Sequence, residues 1–391
     1  MKHFKIIFRT ILLLSVVSFK TTEALAYEPV EYYDSVEVSL LTCQPHDEVY
    51  SLYGHTALRW HDLHKGKGDI AFNWGVFDFK KPHFVARFVF GLTDYELGGF
   101  PYQYFKQEYR RWGSMVTEQV LNLTAAEKQK LQQALEENLR DENRIYRYNY
   151  FYNNCTTKAR DIIEKCIDGR LEYAEREDYS PSYRDMVHLM TERNPWARFG
   201  NDVLLGIKAD QTASRQEQEF LPNNLMYDFD HAQIYTNGNY RPLVKERRIG
   251  EPPGVQIQQS AFPLTPWQSG MMIVAIGLLI FAVEWKMKRS FLAWDLLLMV
   301  TTGVFGIVLT LMLFSQHPTV SLNLQILLLN PLPWFFLLPV IKGRGRRYWL
   351  LTSVLTILFL MGGLFQSYAE GIQSLACCLL LQSCIHLLRK S

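Results

Sequence analysis

The sequence predicts an α+β exported domain followed by an all-α membrane domain of about five transmembrane helices. Three features point there: an export segment at the N-terminus, strand-like segments that give way to helix-like ones, and an abrupt apolar shift after residue 266.

Lys2 and Lys5 precede an apolar run from Ile6 to Phe19, and Ala24-Leu25-Ala26 supplies a small-x-small cleavage site. This is the pattern of a secretory signal peptide over residues 1–26, with a short uncleaved anchor as the alternative. The mature chain then starts near Tyr27, outside the cytoplasm, where nucleic acid is not a partner.

Residues 27–246 are long enough for one good-sized domain. Val36 to Thr42, Ser51 to Trp60 and Asp69 to Phe79 are rich in β-branched and aromatic residues, alternate in polarity and are separated by turn signals, so they read as strands. Thr124 to Glu127 form a capping box that opens a helix to about Arg140, with Leu131, Leu135 and Leu139 along one stripe. A second helix starts at or just after Cys155 and stops at Gly169. Residues 247–266, with Pro252, Pro253 and Gly254, read as a linker.

The mean hydropathy of −0.08 averages two solvents. Apolar stretches at 267–285, 291–314, 320–341, 348–366 and 371–388 each have roughly the length that crosses a hydrocarbon core as a helix. Pro331, Pro333 and Pro339 predict a broken helix in the third. Lys286, Lys288 and Arg289, then Lys342, Arg344, Arg346 and Arg347, and finally Arg389 and Lys390 fall on alternate connections. The positive-inside rule places these, and the C-terminus, in the cytoplasm, with residues 27–265 on the far side of a bacterial inner membrane, in the periplasm. Glu284 and Asp295 lie close enough to the first basic connection to snorkel toward it.

Two motifs carry the chemistry: Y-G-H-T at Tyr53 to Thr56 and N-N-C-T-T at Asn153 to Thr157. A thiol at a helix N-terminus meets unpaired N–H groups and the positive end of the helix dipole, which favour thiolate, and the same N–H groups suit an oxyanion. Cys155 is therefore the candidate nucleophile and His55 the base that takes and returns its proton. Asn73, on the next strand, is the candidate that orients the imidazole. Tyr53 and Asn154 are candidates for oxyanion or supporting contacts.

Cys155 and Cys166 on one helix would stand roughly 16 Å apart, beyond disulfide reach. Cys43 and Cys166 either bridge each other or are both buried thiols. His46, Asp47, His61, Asp62 and His64 lack metal-ligand spacing and adjoin Lys65 and Lys67, so a solvated turn is expected, with no metal and no cofactor. Arg59 meets either a phosphate or a buried carboxylate. Between Phe77 and Trp112, aromatics alternate with cations, a composition suited to the edge of a bilayer.

The Y-G-H strand followed much later by an N-C helix resembles the circularly permuted branch of the papain-like superfamily, as in lecithin retinol acyltransferase and permuted NlpC-related hydrolases. The set Y-G-H-T-A-L-R, N-W-G-V-F-D-F, Y-N-N-C-T-T and F-L-P-N-N-L, joined to several C-terminal spans, resembles the Lnb-type lipoprotein N-acyltransferases of Bacteroidota. The resemblance implies catalysis by Cys155 and His55; Asn73 comes from the strand pattern alone. It also implies a membrane phospholipid as acyl donor, a Cys155 thioester, and the α-amino group of a diacylated lipoprotein N-terminus as acceptor. A membrane-anchored cysteine hydrolase of peptidoglycan peptides or other amides would use the same two residues. A non-enzymatic assembly or binding module would need neither, and leaves their ordered context unexplained.

Overall fold

Strands that alternate apolar residues on both faces need helices on both sides, and the chain supplies them. The computed structural model describes residues 30–388 apart from 47, 65–67, 79, 178 and 257–261. The expected signal peptide, Asp47, Lys65, Lys67, Phe79, Arg389 and Lys390 lie outside the described residues.

A short helix, α1 (Val30–Asp34), leads into β1 (Val36–Cys43), β2 (His55–Asp62) and β3 (Asp69–Val76), followed by α2 (Phe84–Val89), β4 (Asp94–Pro101), α3 (Tyr102–Trp112) and β5 (Val116–Leu121). Next come α4 (Ala125–Leu139), β6 (Ile145–Arg147), α5 (Cys155–Cys166), β7 (Arg170–Glu172), α6 (Tyr183–Met190), α7 (Pro195–Leu204) and α8 (Pro222–His231). Three strands, β8 (Gln233–Thr236), β9 (Asn239–Pro242) and β10 (Val244–Glu251), close this α/β domain. One antiparallel sheet runs β10-β5-β1-β2-β3-β4-β6, and a small one runs β7-β8-β9.

The sheet's two faces carry separate cores. On one, Val38, Leu40, Leu58, Trp60, Phe72 and Trp74 pack against Leu131 and Leu135 of α4, Ile163 of α5 and Phe229 of α8. On the other, Tyr102, Phe105 and Tyr109 of α3 cover Leu41, Ala57, Ala71 and Val116. This division settles the cysteines: Cys43 belongs to the α3 face and Cys166 to the α5 face, and both are free, buried thiols. Arg59 emerges on the α3 face under Tyr102, 3.8 Å from the ring centroid, and pairs with Asp69 at 2.7 Å and Glu118 at 3.0 Å. Its partners are carboxylates.

The sequence-predicted strands form with small shifts. β2 begins at His55 rather than Ser51, because Val49–Ser51 coil into a 3-10 turn and Gly54 turns the chain at φ 75°. Residues 247–251, assigned from composition to the linker, are the second half of β10. Its charges suit an edge strand, where Arg248 pairs with Glu37 at 2.8 Å and Glu251 with Arg110 at 2.7 Å.

The C-terminal part is helical: α9 (Pro266–Met287), α10 (Leu292–Met312), α11 (Leu332–Ile341), α12 (Arg346–Gly362) and α13 (Ile372–Leu388). Three stretches, Pro266–Met287, Leu292–Met312 and Leu324–Ile341, are long and apolar enough to cross a membrane; Ile372–Leu388 is apolar but shorter. Large apolar side chains face outward along them, Leu279 at 65% and Phe335 at 75% exposure, as lipid-facing surfaces do. The third stretch is broken as its prolines predict, by 3-10 turns at Pro318–Val320 and Leu324–Leu327 before α11 starts behind Pro331.

Glu284 and Asp295 do not snorkel. Both point into the bundle and are fully buried. Gln382 Nε2 donates to Glu284 Oε1 at 3.3 Å and to Asp295 Oδ1 at 2.7 Å, while His386 Nε2 lies 3.0 Å from both Asp295 oxygens. Polar partners on α13 satisfy the carboxylates inside the bundle and remove the need to reach for water.

Candidate active site

β2 puts successive side chains on opposite faces, and the two residues that open it use both. His55 shares the α3 face with Ala57 and Arg59, whereas Thr56 points to the α5 face and meets Thr156, Oγ1 to Oγ1 3.0 Å. That contact ties Y-G-H-T to N-N-C-T-T across a hundred residues of chain. Gly54 lets the turn into β2 lie against the end of β1, since a Cβ there would lie 2.6 Å from the Cys43 carbonyl oxygen, and its φ of 75° belongs to glycine.

Cys155 is the first residue of α5. Asn154 caps this helix: its Oδ1 accepts from the N–H groups of Thr156 and Thr157, each at 3.0 Å, and its Nδ2 donates to the carbonyls of Tyr150 at 3.0 Å and Phe220 at 2.9 Å. The amide is fully spent, so Asn154 is a positioning residue and has no donor left for an oxyanion. The same bonds use the N–H groups of Thr156 and Thr157. Among the described residues the Cys155 N–H has no partner, and it is the helix donor that remains for a developing negative charge.

The charges of His55 and Cys155 act on each other, and His55 Nε2 lies 2.6 Å from Asn73 Oδ1. An Asn Oδ1 can only accept, so Nε2 carries the proton and Nδ1 is the nitrogen left for the thiol. Burial pushes the Cys155 thiol up, but the charge of His55, its hydrogen bond, the Thr56 N–H and the Thr156 hydroxyl outweigh it and bring the group down to about 7. His55 answers in the other direction: burial lowers it, while the Cys155 charge, hydrogen bonds to Cys155 and Asn73, and the charge of Glu108 raise it on balance. The contrast with Cys43, driven up by burial, is large. The opposed shifts favour thiolate beside imidazolium, with the ring held by Asn73, an arrangement suited to acyl transfer to sulfur.

The structure thus brings His55, Asn73 and Cys155 together and sets Tyr53 apart as a brace. The Tyr53 hydroxyl accepts from Asn201 Nδ2 at 2.8 Å and its ring meets Tyr150 edge-on at 4.9 Å. Sequence reasoning missed Gly75. It sits at a register shift between Trp74 and Val76 with φ 115°, and a Cβ there would lie 3.7 Å from His55 Cε1 and 4.0 Å from the Cys155 Cβ. Its signal was its place two residues after Asn73 in N-W-G-V. The segment F-L-P-N-N-L also gains a reason, because the Phe220 carbonyl that Asn154 grips lies in it.

Residues 31–192 match the model of the Lnb N-terminal periplasmic domain, and residues 257–391 match that of the Lnb transmembrane domain. The chain belongs to the Lnb family. His55, Asn73 and Cys155 of this Lnb chain all fall in the periplasmic-domain match, and α9 to α13 fall in the transmembrane match, so it is a membrane protein with an exported α/β domain. The comparisons with curated proteins and with solved structures found no match. Among the described residues no group of His, Cys, Asp and Glu is placed to hold a metal ion. Asp62 instead caps its own turn by accepting from the His64 N–H at 2.9 Å.

Proposed function

We propose that this chain is a lipoprotein N-acyltransferase of the bacterial inner membrane, with a permuted papain-like periplasmic domain, five spans and a cytoplasmic C-terminus. The observation that carries the reading is the pairing of Cys155 with an Asn73-oriented His55 in a domain docked on apolar helices. Family membership supports the reaction class.

The donor is a membrane phospholipid. The Cys155 thiolate attacks an ester carbonyl, and the Cys155 N–H faces the oxyanion. The C–O bond breaks, the imidazolium of His55 returns its proton to the leaving alkoxide, and a lysophospholipid departs from an acyl thioester. The neutral α-amino nitrogen of a diacylglyceryl-cysteine then attacks the same carbonyl; C–N forms, C–S breaks, and the surplus proton passes to His55. An α-amino pKa of about 7.7–8.0 leaves a useful fraction neutral near pH 7. Water competes for the thioester, and Cys155 is partly withdrawn from it, packed with Tyr146 against the core beneath α5.

Orientation supports the inner membrane. The connection at Gln316 contacts the exported domain, while Lys286 in the last turn of α9 and Lys288, Arg289, Lys342 and Arg344 on the connections lie at the other ends of α9 to α12. The test expresses the full chain in a bacterium depleted of its own N-acyltransferase and weighs lipoprotein N-termini by mass spectrometry. Wild type gives triacylated termini; Cys155→Ser and His55→Ala leave them diacylated. Diacylated termini with wild type, alongside shortened muropeptides, would establish a hydrolase instead.

A further inference from the structure

The catalytic strand leads straight to the transmembrane part. Beyond Gly75, β3 gives way to Phe77 and then to α2, whose Phe84 stacks on Phe77 with centroids 5.8 Å apart. The far end of α2 sits on the connection that follows α10. The Gln316 N–H donates to the Phe90 carbonyl at 3.0 Å, and His317 Nε2 lies 3.3 Å from the Phe88 carbonyl oxygen, with the two rings 6.2 Å apart. The chains approach closely at Gly91, where a Cβ would lie 3.2 Å from the Gln316 Cβ and 3.3 Å from His317 Nε2.

The length of α10 fixes the level of this contact. Its 21 residues rise about 30 Å, the thickness of the hydrocarbon core, so Met312 marks the boundary on the side of the exported domain. Leu313 and Phe314, 43% and 72% exposed, continue the lipid-facing surface of the helix, and Gln316 and His317 follow directly. The end of α2 that they hold therefore falls in the headgroup layer, about 5–7 Å deep. Phe88 is exposed there. Charge suits the same level: Arg87 and Arg147 share Asp94, at 2.8 and 2.6 Å, which leaves one positive charge over, and Lys80 and Lys81 outnumber Asp78 on the exposed turn before α2. Cations beside an exposed aromatic match phosphates above acyl chains. Tyr102, Phe105 and Tyr109 of α3 are spent on the sheet, so the bilayer contact expected of residues 77–112 falls to α2.

We propose that α2 is the membrane-facing lip of the site. Phe88 rests among the phospholipids of the leaflet on the exported side, and the segment from Gly75 to Phe90 leads a phospholipid ester from that leaflet to Cys155. That this lipid is the acyl donor rests on the acyl-transfer reading; the contact with the bilayer does not.

The test places the photoreactive p-benzoylphenylalanine at position 88 of the full chain, held in bilayers of phosphatidylethanolamine and phosphatidylglycerol, and reads adducts by peptide mass spectrometry. Irradiation should attach phospholipid to the peptide carrying position 88, with about tenfold less or lower yield at position 249. Ile249 is the control because it is more exposed, at 67%, and lies on β10 at the opposite edge of the sheet. No lipid adduct at position 88, equal adducts at both positions, or attachment to a second polypeptide in place of lipid overturns the proposal. In cells, Phe88→Glu should lower N-acylation about tenfold while Phe88→Leu stays within about twofold of wild type. The Cys155 alkylation midpoint should stay near 7 in both. N-acylation that Phe88→Glu leaves unchanged, or that falls only together with a shifted midpoint, removes the role as a lip. Lipid adducts at position 88 in a chain whose wild type leaves lipoproteins diacylated would sink the acyltransferase reading and leave the membrane contact standing; triacylated termini without adducts would do the reverse.

Discussion

At the scale of single residues, the state of Cys155 is set by few partners, and this makes its titration a direct readout. The thiolate forms as pH rises through about 7 and disappears below it, because the lowered group protonates only under more acidic conditions. Alkylation of Cys155 by iodoacetamide should therefore climb with a midpoint near pH 7. His55→Ala removes the opposing charge and the hydrogen bond and leaves burial, so the thiol should return to at least the ordinary range near 8.5. At pH 7 the thiolate fraction then falls from about a half to a few per cent, about 15-fold or more in rate. An unchanged midpoint in His55→Ala would mean that the imidazole does not act on the sulfur. Asn73→Ala leaves His55 free to rotate about the position held by the 2.6 Å contact; acyl transfer should drop by roughly 10–100-fold, with the fold intact by circular dichroism.

At the scale of elements, α5 is held from behind by four bonds to one side chain. Asn154→Ala removes the cap and strands the Tyr150 and Phe220 carbonyls, which should cost about 1–3 kcal/mol in urea unfolding and displace Cys155 as well. Gly75→Ala separates the two effects. Its φ of 115° makes any side chain strained, by about 1–3 kcal/mol, and the added methyl would sit in ordinary contact with His55 and Cys155, so the backbone shift that relieves the strain falls beside that pair and activity should fall further than stability does. The same elements explain what the sequence made legible. β1, β2, β3, α4 and α5 announced themselves by alternation, capping boxes and a helix-opening Cys, and Asn73 followed from strand order. β4 with E-L-G-G-F and β10 with K-E-R-R carry weak β-propensity, and only neighbours in the sheet make them strands. The bulge at Gly75 and the spent amide of Asn154 are products of tertiary register and helix docking, which no local pattern encodes. Glu284 and Asp295 escaped the sequence reading for the same reason, since their partners Gln382 and His386 lie nearly a hundred residues away.

For the molecule as a whole, the lipid chemistry proposed for the periplasmic site calls for a fixed height over the bilayer, and a latch of buried amides ties the exported domain to the helices. Asn323 Nδ2 donates to the Val203 carbonyl and Gln325 Nε2 to that of Asp202, each at 2.7 Å, while Gln366 Nε2 reaches the Leu205 carbonyl at 3.0 Å. Two backbone bonds, Gly206 N–H to Thr319 at 2.9 Å and Ile207 N–H to Leu322 at 2.8 Å, close the seam, and Gln316 docks a second point on Phe90 at 3.0 Å. The latch reaches the site through α7, whose Asn201 braces Tyr53 and whose Asp202 pairs with Arg184 at 2.6 Å. Replacing both Gln325 and Gln366 by alanine leaves the Asp202 and Leu205 carbonyls to Arg184 alone and strands the Leu324 and Ala369 N–H groups at about 1–3 kcal/mol each. The expected result is an exported domain that swings relative to the helices: proteolysis at residues 252–256 should accelerate and N-acylation in cells should fall about tenfold or more, while the Cys155 alkylation midpoint stays near pH 7. A shift of that midpoint together with the loss of activity would show that the transmembrane domain shapes the chemistry of the sulfur itself, beyond delivering it to the membrane.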